Sequence, residues 1–128
     1  MNFQRAFSGA PWEDSVGYCR ALRAGNTIYV TGTAPVDPDG DVSSPGEAYP
    51  QTVRCLEIIR EALERLGSGL EDVVRTRMFV TDIARWEEFG RGHREAFQNH
   101  PPTTTMVEVR SLIHPDMLIE IEAEAVTD

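Results

Sequence analysis

Two stretches near the C-terminus decide the fold: residues 101–110 read PPTTTMVEVR, and residues 117–125 read MLIEIEAEA. Apolar and polar residues alternate with period two in both. This alternation predicts two β-strands, each with one face against a core and one face open. The short link over residues 111–115 makes a hairpin between them possible. The function then depends on which side chains point into the open face.

The preceding part of the chain predicts one hairpin and one long helix. Residues 18–23 and 27–33 have strand character, and Gly25-Asn26 between them supplies a tight turn. Residues 47–66 carry apolar side chains at intervals of three to four, which indicates an amphipathic helix, and Gly67 fits the position just after its end.

A further strand and helix follow before the C-terminal strands. Residues 72–81 form a strong strand pattern, and Asp82 can cap the next helix, which ends before Pro101-Pro102. The predicted order is β-β-α-β-α-β-β. We therefore expect an α+β fold, with a mixed sheet covered on one face by two helices, as a single domain over residues 1–128.

Composition excludes several classes of function. A formal net charge of −9 with no cluster of Lys and Arg argues against nucleic-acid binding. The sequence shows no leader-like start and no apolar run of membrane-spanning length, so a soluble cytoplasmic protein without membrane partners is expected. Cys19 and Cys55 lack the spacing of a redox pair or zinc site, which favours free thiols. No metal or other cofactor is expected.

The open sheet face holds the candidate for chemistry. The alternation predicts that Thr104, Met106, Glu108 and Arg110 of one C-terminal strand share this face with Leu118, Glu120, Glu122 and Glu124 of the other. Glu120, flanked by Ile119 and Ile121, is the best candidate for a general acid or base. The alternative is that Glu120, Glu122 and Glu124 are the solvent side of an edge strand.

His93 is a weaker candidate. It lies on the apolar face of the second predicted helix, with Trp86, Phe89 and Phe97. That position favours a packed core or interface histidine over a catalytic one.

Four segments together resemble the Rid family, also called YjgF/YER057c/UK114. They are VGY at 16–18, IYVTGTAP at 28–35, DVVRTRMFVTD at 72–82, and VEV at 107–109 followed by IEIEA at 119–123. The resemblance implies a homotrimer of chorismate-mutase-like subunits with ligand clefts between neighbours. It also implies hydrolytic deamination of enamines or imines, since members of the family convert 2-aminoacrylate and its imine tautomer to a 2-oxo acid and ammonia.

One position departs from the family pattern. In the deaminating members an arginine in P-x-R-x-x-V-E-V holds the substrate carboxylate, and the matching residue here is Thr104. A threonine hydroxyl offers one neutral hydrogen bond in place of a bidentate, charge-assisted pair. Arg110 is too far along the same strand to substitute, so Arg20, Arg77 and Arg91 remain as possible replacements.

Other family positions carry over to this sequence. The resemblance gives Glu120 the role of orienting or activating water, and it places Tyr18, Gly32, Thr33 and Met106 in the substrate-binding cleft. We therefore expect a small-molecule protein, an enamine/imine deaminase if it is an enzyme, acting on a substrate other than 2-aminoacrylate. The alternative is a non-catalytic metabolite-binding or chaperone-like trimer. An endoribonuclease, a function found in older names of the family, fits the acidic composition poorly.

Overall fold

The fold is known from a computed structural model, which describes residues 2–128. Six strands form one sheet: β1 (Phe3–Ala6), β2 (Ala21–Ala24), β3 (Thr27–Thr33), β4 (Val73–Val80), β5 (Thr103–Glu108) and β6 (Ile119–Val126). The α-helices are α1 (Pro11–Val16), α2 (Ala48–Arg65) and α3 (Trp86–Phe97). The expected α+β class, with a mixed sheet and two long helices, is confirmed.

The strand order is β1-β2-β3-β6-β4-β5, which places β6 in the centre of the sheet. β6 pairs antiparallel with β3 on one side and with β4 on the other. β5 lies at the edge, parallel to β4. The predicted hairpin between β5 and β6 is therefore wrong. The crossover through α3 carries the chain back so that β5 runs parallel to β4, and β4 separates β5 from β6.

The core lies between the sheet and the two long helices. α2 packs against β3 and β6, and α3 packs against α2. Side chains buried at this boundary come from both layers: Ile28, Val30, Met78, Val80, Ile119 and Ile121 from the sheet, and Leu56, Ile59, Leu63, Phe89 and Phe97 from the helices. The opposite sheet face carries half-exposed polar residues, as the alternation of β6 predicted.

Local signals account for the turns and caps. Gly25, with a φ of 64°, makes the β2–β3 turn, and Gly67, with a φ of 82°, follows the end of α2. The Asp82 side chain accepts a hydrogen bond from the Ala84 backbone N–H at 3.0 Å, and it caps a short 3₁₀ turn just before α3.

Two N-terminal elements and one irregularity were not predicted. The strand β1 and the short helix α1 lie before residue 18, in a part of the chain for which no element was predicted. Strict alternation through residues 72–81 would put Val74 on the same side as Thr76, but a register shift between Val73 and Arg75 buries Val73 and exposes Val74. Such a bulge moves one residue to the other face of a strand.

Candidate functional site

Glu120 lies on the central strand, which rules out the edge-strand alternative. Its strand neighbours Ile119 and Ile121 are fully buried against the helices. Glu120 itself points to the opposite face, half-buried, and pairs with Phe79 of β4. Neighbouring strands on both sides therefore fix its backbone. A carboxylate in this position is partly removed from water without being sealed from it.

The lack of a side chain at Gly32 leaves space for the Glu120 carboxylate. A Cβ atom placed on Gly32 would lie 2.5 Å from a carboxylate oxygen of Glu120. The pairing of β3 with β6 is irregular between Val30 and Thr33, and this irregularity brings the Gly32 backbone toward Glu120. Any larger residue at position 32 would force the carboxylate to move.

Arg20 lies beside this pair and is buried, with 7% of its surface exposed. Its guanidinium donates to the Gly32 carbonyl at 3.1 Å and to the Thr33 hydroxyl at 3.2 Å. Thr33 is itself fully buried and donates to the Thr31 carbonyl at 2.7 Å. Arg20 therefore ties the end of β3 to the segment that precedes β2. Its guanidinium carbon also lies 5.6 Å from the centre of the Tyr18 ring.

Glu13 of α1 supplies the countercharge of Arg20. Its carboxylate, in a residue only 4% exposed, lies 3.4 Å from the Arg20 Nε. That distance makes an ion pair, although the Nε–H lacks the alignment of a hydrogen bond. The carboxylate also accepts from the Ser8 backbone N–H at 3.0 Å and from the Ser8 hydroxyl. Both members of the Glu13–Arg20 ion pair are therefore buried in the protein.

These surroundings change the acidity of Glu120. Burial raises the pKa of Glu120 above the ordinary value of 4.5, and the positive charge of Arg20 partly offsets that rise. Burial also raises the pKa of the Cys55 thiol, and the nearby Glu120 charge adds to the effect. Cys55 is fully buried and Cys19 is half-buried, and both are free thiols. Cys55 therefore stays protonated, which argues against its use as a nucleophile.

The other two arginines named from the sequence have different neighbours. Arg77 lies on the open face, 3.5 Å from a Glu122 oxygen and 3.3 Å from a Glu124 oxygen. Arg91 lies on α3, with its guanidinium carbon 3.7 Å from the centre of the Tyr49 ring. Of the three, Arg20 alone lies beside Glu120.

Thr104 and Met106 do not share a face with Glu120 in one subunit, so that prediction is wrong. Thr104 pairs with Thr76, and Met106 with Met78, whose side chains are both buried on the helix side. Thr104 is exposed at the edge, whereas Met106 packs against the core. Glu108 continues the same alternation, and Arg110 lies beyond the end of β5.

The Thr104 hydroxyl belongs to a hydrogen-bonded chain. It lies 2.7 Å from the Thr76 hydroxyl, which lies 2.7 Å from the Nε2 of His93. His93 is therefore a histidine whose ring is held by a specific polar partner. Burial lowers the pKa of His93 to about 4, so the imidazole is neutral at pH 7.

Two cavities of the described chain lie apart from Glu120. A cavity of about 240 Å³ lies between α2 and α3, and another of about 210 Å³ lies over Tyr29, Arg77 and Glu122 on the open face. Neither is lined by Glu120 or Thr104.

Within residues 2–128, no three His, Cys, Asp or Glu side chains stand close enough together to hold a metal ion. In the same part of the chain, no helix is both long and apolar enough to cross a membrane.

Sequence reasoning missed Glu13 and Thr76 as parts of these arrangements. Pro11 at the first helical position, with Glu13 and Asp14 in the first turn, is a recognisable start of a helix and could have predicted α1. No local signal indicates that Glu13 meets Arg20. Alternation along β4 puts Thr76 on the same side as the buried Met78 and Val80, but its contact with His93 depends on how α3 lies on the sheet.

Known proteins similar to this chain match it over most of its length. A crystal structure of a YjgF/YER057c/UK114 family member from Mycobacterium tuberculosis is 43% identical, covers 98% of this chain and 100% of its own, and superposes with a TM-score of 0.90. An uncharacterized protein of Streptomyces coelicolor is 35% identical over 95% of this chain and 90% of its own length. The 3-aminoacrylate deaminase RutC of Acinetobacter baylyi is 36% identical over 84% of this chain and 85% of its own length.

The family assignment rests on nearly the whole chain. Residues 10–127 match the family described as endoribonuclease L-PSP. Glu120 and every strand except β1 lie within this matched range. The chain belongs to the endoribonuclease L-PSP family, the same family that is called YjgF/YER057c/UK114 or Rid.

Proposed function

We propose that this protein is a hydrolytic enamine/imine deaminase, with Glu120 as its acid–base residue. The observation that carries the proposal is the half-buried Glu120 carboxylate, held against the Gly32 backbone next to the buried Arg20. A carboxylate with a raised pKa is suited to take up and return a proton near neutral pH. The similarity to RutC, named as a 3-aminoacrylate deaminase, supports the same class of reaction.

The proposed reaction needs one water molecule. An enamine first takes up a proton on carbon to become an iminium ion. Glu120 then accepts a proton from water while the water oxygen bonds to the iminium carbon, which gives a carbinolamine. Return of that proton to nitrogen, with loss of the hydroxyl proton, breaks the C–N bond and releases ammonia and a carbonyl compound.

The proposed site is completed by a second copy of the chain. Glu120 and Thr104 lie on opposite sheet faces of one subunit, so one subunit alone cannot bring both to the same small ligand. The homotrimer implied by the family resemblance offers a cleft in which the Glu120 face of one subunit meets the Thr104 edge of its neighbour. Tyr18 and Gly32 would line the Glu120 side of that cleft, and Met106 the Thr104 side. The Thr33 side chain, which the family resemblance also placed in the cleft, is instead buried, with its hydroxyl bound to Arg20 and to the Thr31 carbonyl.

The substrate is proposed to lack the carboxylate of 2-aminoacrylate. Thr104 stands at the position where the deaminating members of the family have their carboxylate-binding arginine. The guanidinium of Arg20 is already bound to Glu13, Gly32 and Thr33. A carboxylate brought to this site would lose hydration without gaining a countercharge. We therefore expect little ammonia release from 2-iminopropanoate. The net charge of −9 disfavours RNA as a substrate.

The test compares two glutamates of β6. Imines generated in situ from a panel of amines are supplied to the wild type, Glu120→Gln and Glu122→Gln, and ammonia release is coupled to NADH oxidation. Loss of the acid–base group should lower turnover about 10²-fold or more in Glu120→Gln. Glu122→Gln, which loses a half-exposed contact to Arg77 and the smallest of the contributions to the pKa of Glu120, should stay within a few-fold of the wild type.

Two results would contradict the proposal. Equal activities of Glu120→Gln and the wild type would remove Glu120 from the chemistry. Ligand binding without turnover in the wild type, across the panel, would favour the alternative of a metabolite-binding trimer.

A further inference from the structure

Three uncharged groups connect the edge of the sheet with α3. Thr104 of β5 and Thr76 of β4 stand directly opposite each other in the parallel pair, with their hydroxyl oxygens 2.7 Å apart. The Nε2 of His93, on α3, lies 2.7 Å from the Thr76 hydroxyl. Thr76 is fully buried, and Thr104 is exposed. The exposed end of this chain of hydrogen bonds is therefore the Thr104 hydroxyl.

The buried end is held in place by packing. The His93 ring lies 4.6 Å from the Phe97 ring, centre to centre, at an angle of 48°. Phe97 is itself buried in the core. Since burial keeps the pKa of His93 at about 4, the imidazole carries one proton at pH 7, on either Nδ1 or Nε2.

The position of the single proton on the neutral His93 ring allows the Thr104 hydroxyl two hydrogen-bonding roles. If His93 accepts from Thr76 through Nε2, then Thr76 accepts from Thr104, and the free lone pairs of Thr104 face the solvent as acceptors. If His93 donates to Thr76, then Thr76 donates to Thr104, and the Thr104 hydroxyl proton is free to donate. Thr104 can therefore present either an acceptor or a donor, with no net charge in either state.

We propose that Thr104, supported by Thr76 and His93, determines specificity by binding an uncharged polar group of the substrate, of the carboxamide class. A carboxamide carries both a donor and an acceptor, which matches the two states of the Thr104 hydroxyl. A carboxylate is only an acceptor, and it needs a countercharge that this chain of groups lacks. The inference rests on the proposed function, because it requires Thr104 to line the ligand cleft.

The test measures binding and needs no turnover. Two stable probes of nearly equal shape, 2-oxopropanamide and 2-oxopropanoate, are titrated into the ¹⁵N-labelled protein, and dissociation constants are read from amide shifts. The wild type should bind the amide about tenfold more tightly than the acid. Thr104→Arg should reverse this preference, because a guanidinium makes two charge-assisted hydrogen bonds to a carboxylate.

Thr105→Arg is the matched control. Thr105 is also exposed on β5 but pairs with Arg77, on the other sheet face. The Thr105→Arg variant adds the same charge one residue away from position 104, and it should leave the preference for the amide unchanged.

A second readout separates recognition from a structural role. Amide binding should shift the ring ¹⁵N resonances of His93 in the wild type, since the ligand fixes the direction of the hydrogen bonds. Thr76→Val should abolish that shift and reduce the preference for the amide several-fold, with binding of the acid unchanged.

Several outcomes would overturn the inference. Equal affinities for the two probes, an acid preference in the wild type, or identical behaviour of Thr104→Arg and Thr105→Arg would each do so. A preference for the amide without any deaminase turnover would contradict only the proposed function. Turnover without the preference would contradict only this inference.

Discussion

The surroundings of Glu120 and Thr104 differ in how they handle charge. Glu120 stands on the central strand beside Arg20, whose charge is paired with the buried Glu13. Thr104 stands on the edge strand at the end of a chain of two hydroxyls and a neutral imidazole. The Glu120 region holds ionised groups that are partly shielded from water, and the Thr104 region presents polar groups that carry no net charge.

This difference suggests that the two regions have separate roles in the proposed reaction. Proton transfer benefits from a carboxylate whose acidity is set by burial and a fixed cation. Recognition of an uncharged ligand benefits from groups that cost little to dehydrate and that can donate or accept. The first region is accordingly proposed for the chemistry, and the second for the choice of substrate.

The largest expected effect comes from breaking the ion pair beside Glu120. Arg20→Gln leaves the Glu13 carboxylate buried without its countercharge, which should lower the free energy of unfolding by about 3–5 kcal/mol. Denaturant unfolding measures it. Arg77→Gln, which breaks half-exposed contacts to Glu122 and Glu124, should cost less than about 1 kcal/mol.

A double variant shows whether the pair acts as a unit. Glu13→Gln combined with Arg20→Gln removes both charges and should be more stable than the sum of the single effects predicts. Equal losses for Arg20→Gln and Arg77→Gln would mean that burial of the Glu13–Arg20 pair does not matter to stability.

An intermediate effect is expected from filling the space above Glu120. Gly32→Ala would place a Cβ atom 2.5 Å from a carboxylate oxygen, so the carboxylate must swing aside. Moving the Glu120 carboxylate away from its reactive position should lower turnover about 10- to 100-fold. The control is Gly90→Ala on α3, where a Cβ meets no atom within 4 Å. Unchanged turnover in Gly32→Ala would show that the observed position of Glu120 is not the reactive one.

The smallest effect concerns pH. Burial raises the pKa of Glu120 in the folded state above the unfolded value of about 4.5, so folding favours its protonated form. The stability that this provides is fully present below pH 4.5 and is lost as pH rises through the folded pKa. The stability of Glu120→Gln relative to the wild type should therefore increase over that range. Thermal unfolding at a series of pH values measures it, and a difference that stays constant with pH would contradict the raised pKa.

The sequence predicts the strands and helices well because their signals are local. Period-two alternation identified β4 and β6, strand-type composition after the Gly25-Asn26 turn identified β3, and the three-to-four spacing identified α2. The position of Glu120 on the open face followed from its apolar neighbours in the same strand. The half-exposed contacts of Arg77 with Glu122 and Glu124 join opposite charges on the neighbouring strands β4 and β6.

The pairing partners were not predictable in the same way. In β5 the alternation is weak, because Thr103, Thr104 and Thr105 are consecutive and each face then carries one apolar residue, Met106 or Val107. The pattern therefore gives little indication of which face is buried. The short link before β6 favoured a hairpin, whereas the crossover through α3 places β5 on the far side of β4. Thr104 was consequently assigned to the wrong face, and its contact with Thr76 was not foreseen.

The most direct test of the division between the two regions is ammonia release from two imines, 2-iminopropanamide and 2-iminopropanoate. Rates are measured for the wild type, Glu120→Gln and Thr104→Arg. We predict a wild-type preference for the amide, loss of both rates in proportion in Glu120→Gln, and a reversed preference at measurable rates in Thr104→Arg. Robust release from 2-iminopropanoate by the wild type, or a changed preference in Glu120→Gln, would contradict the account.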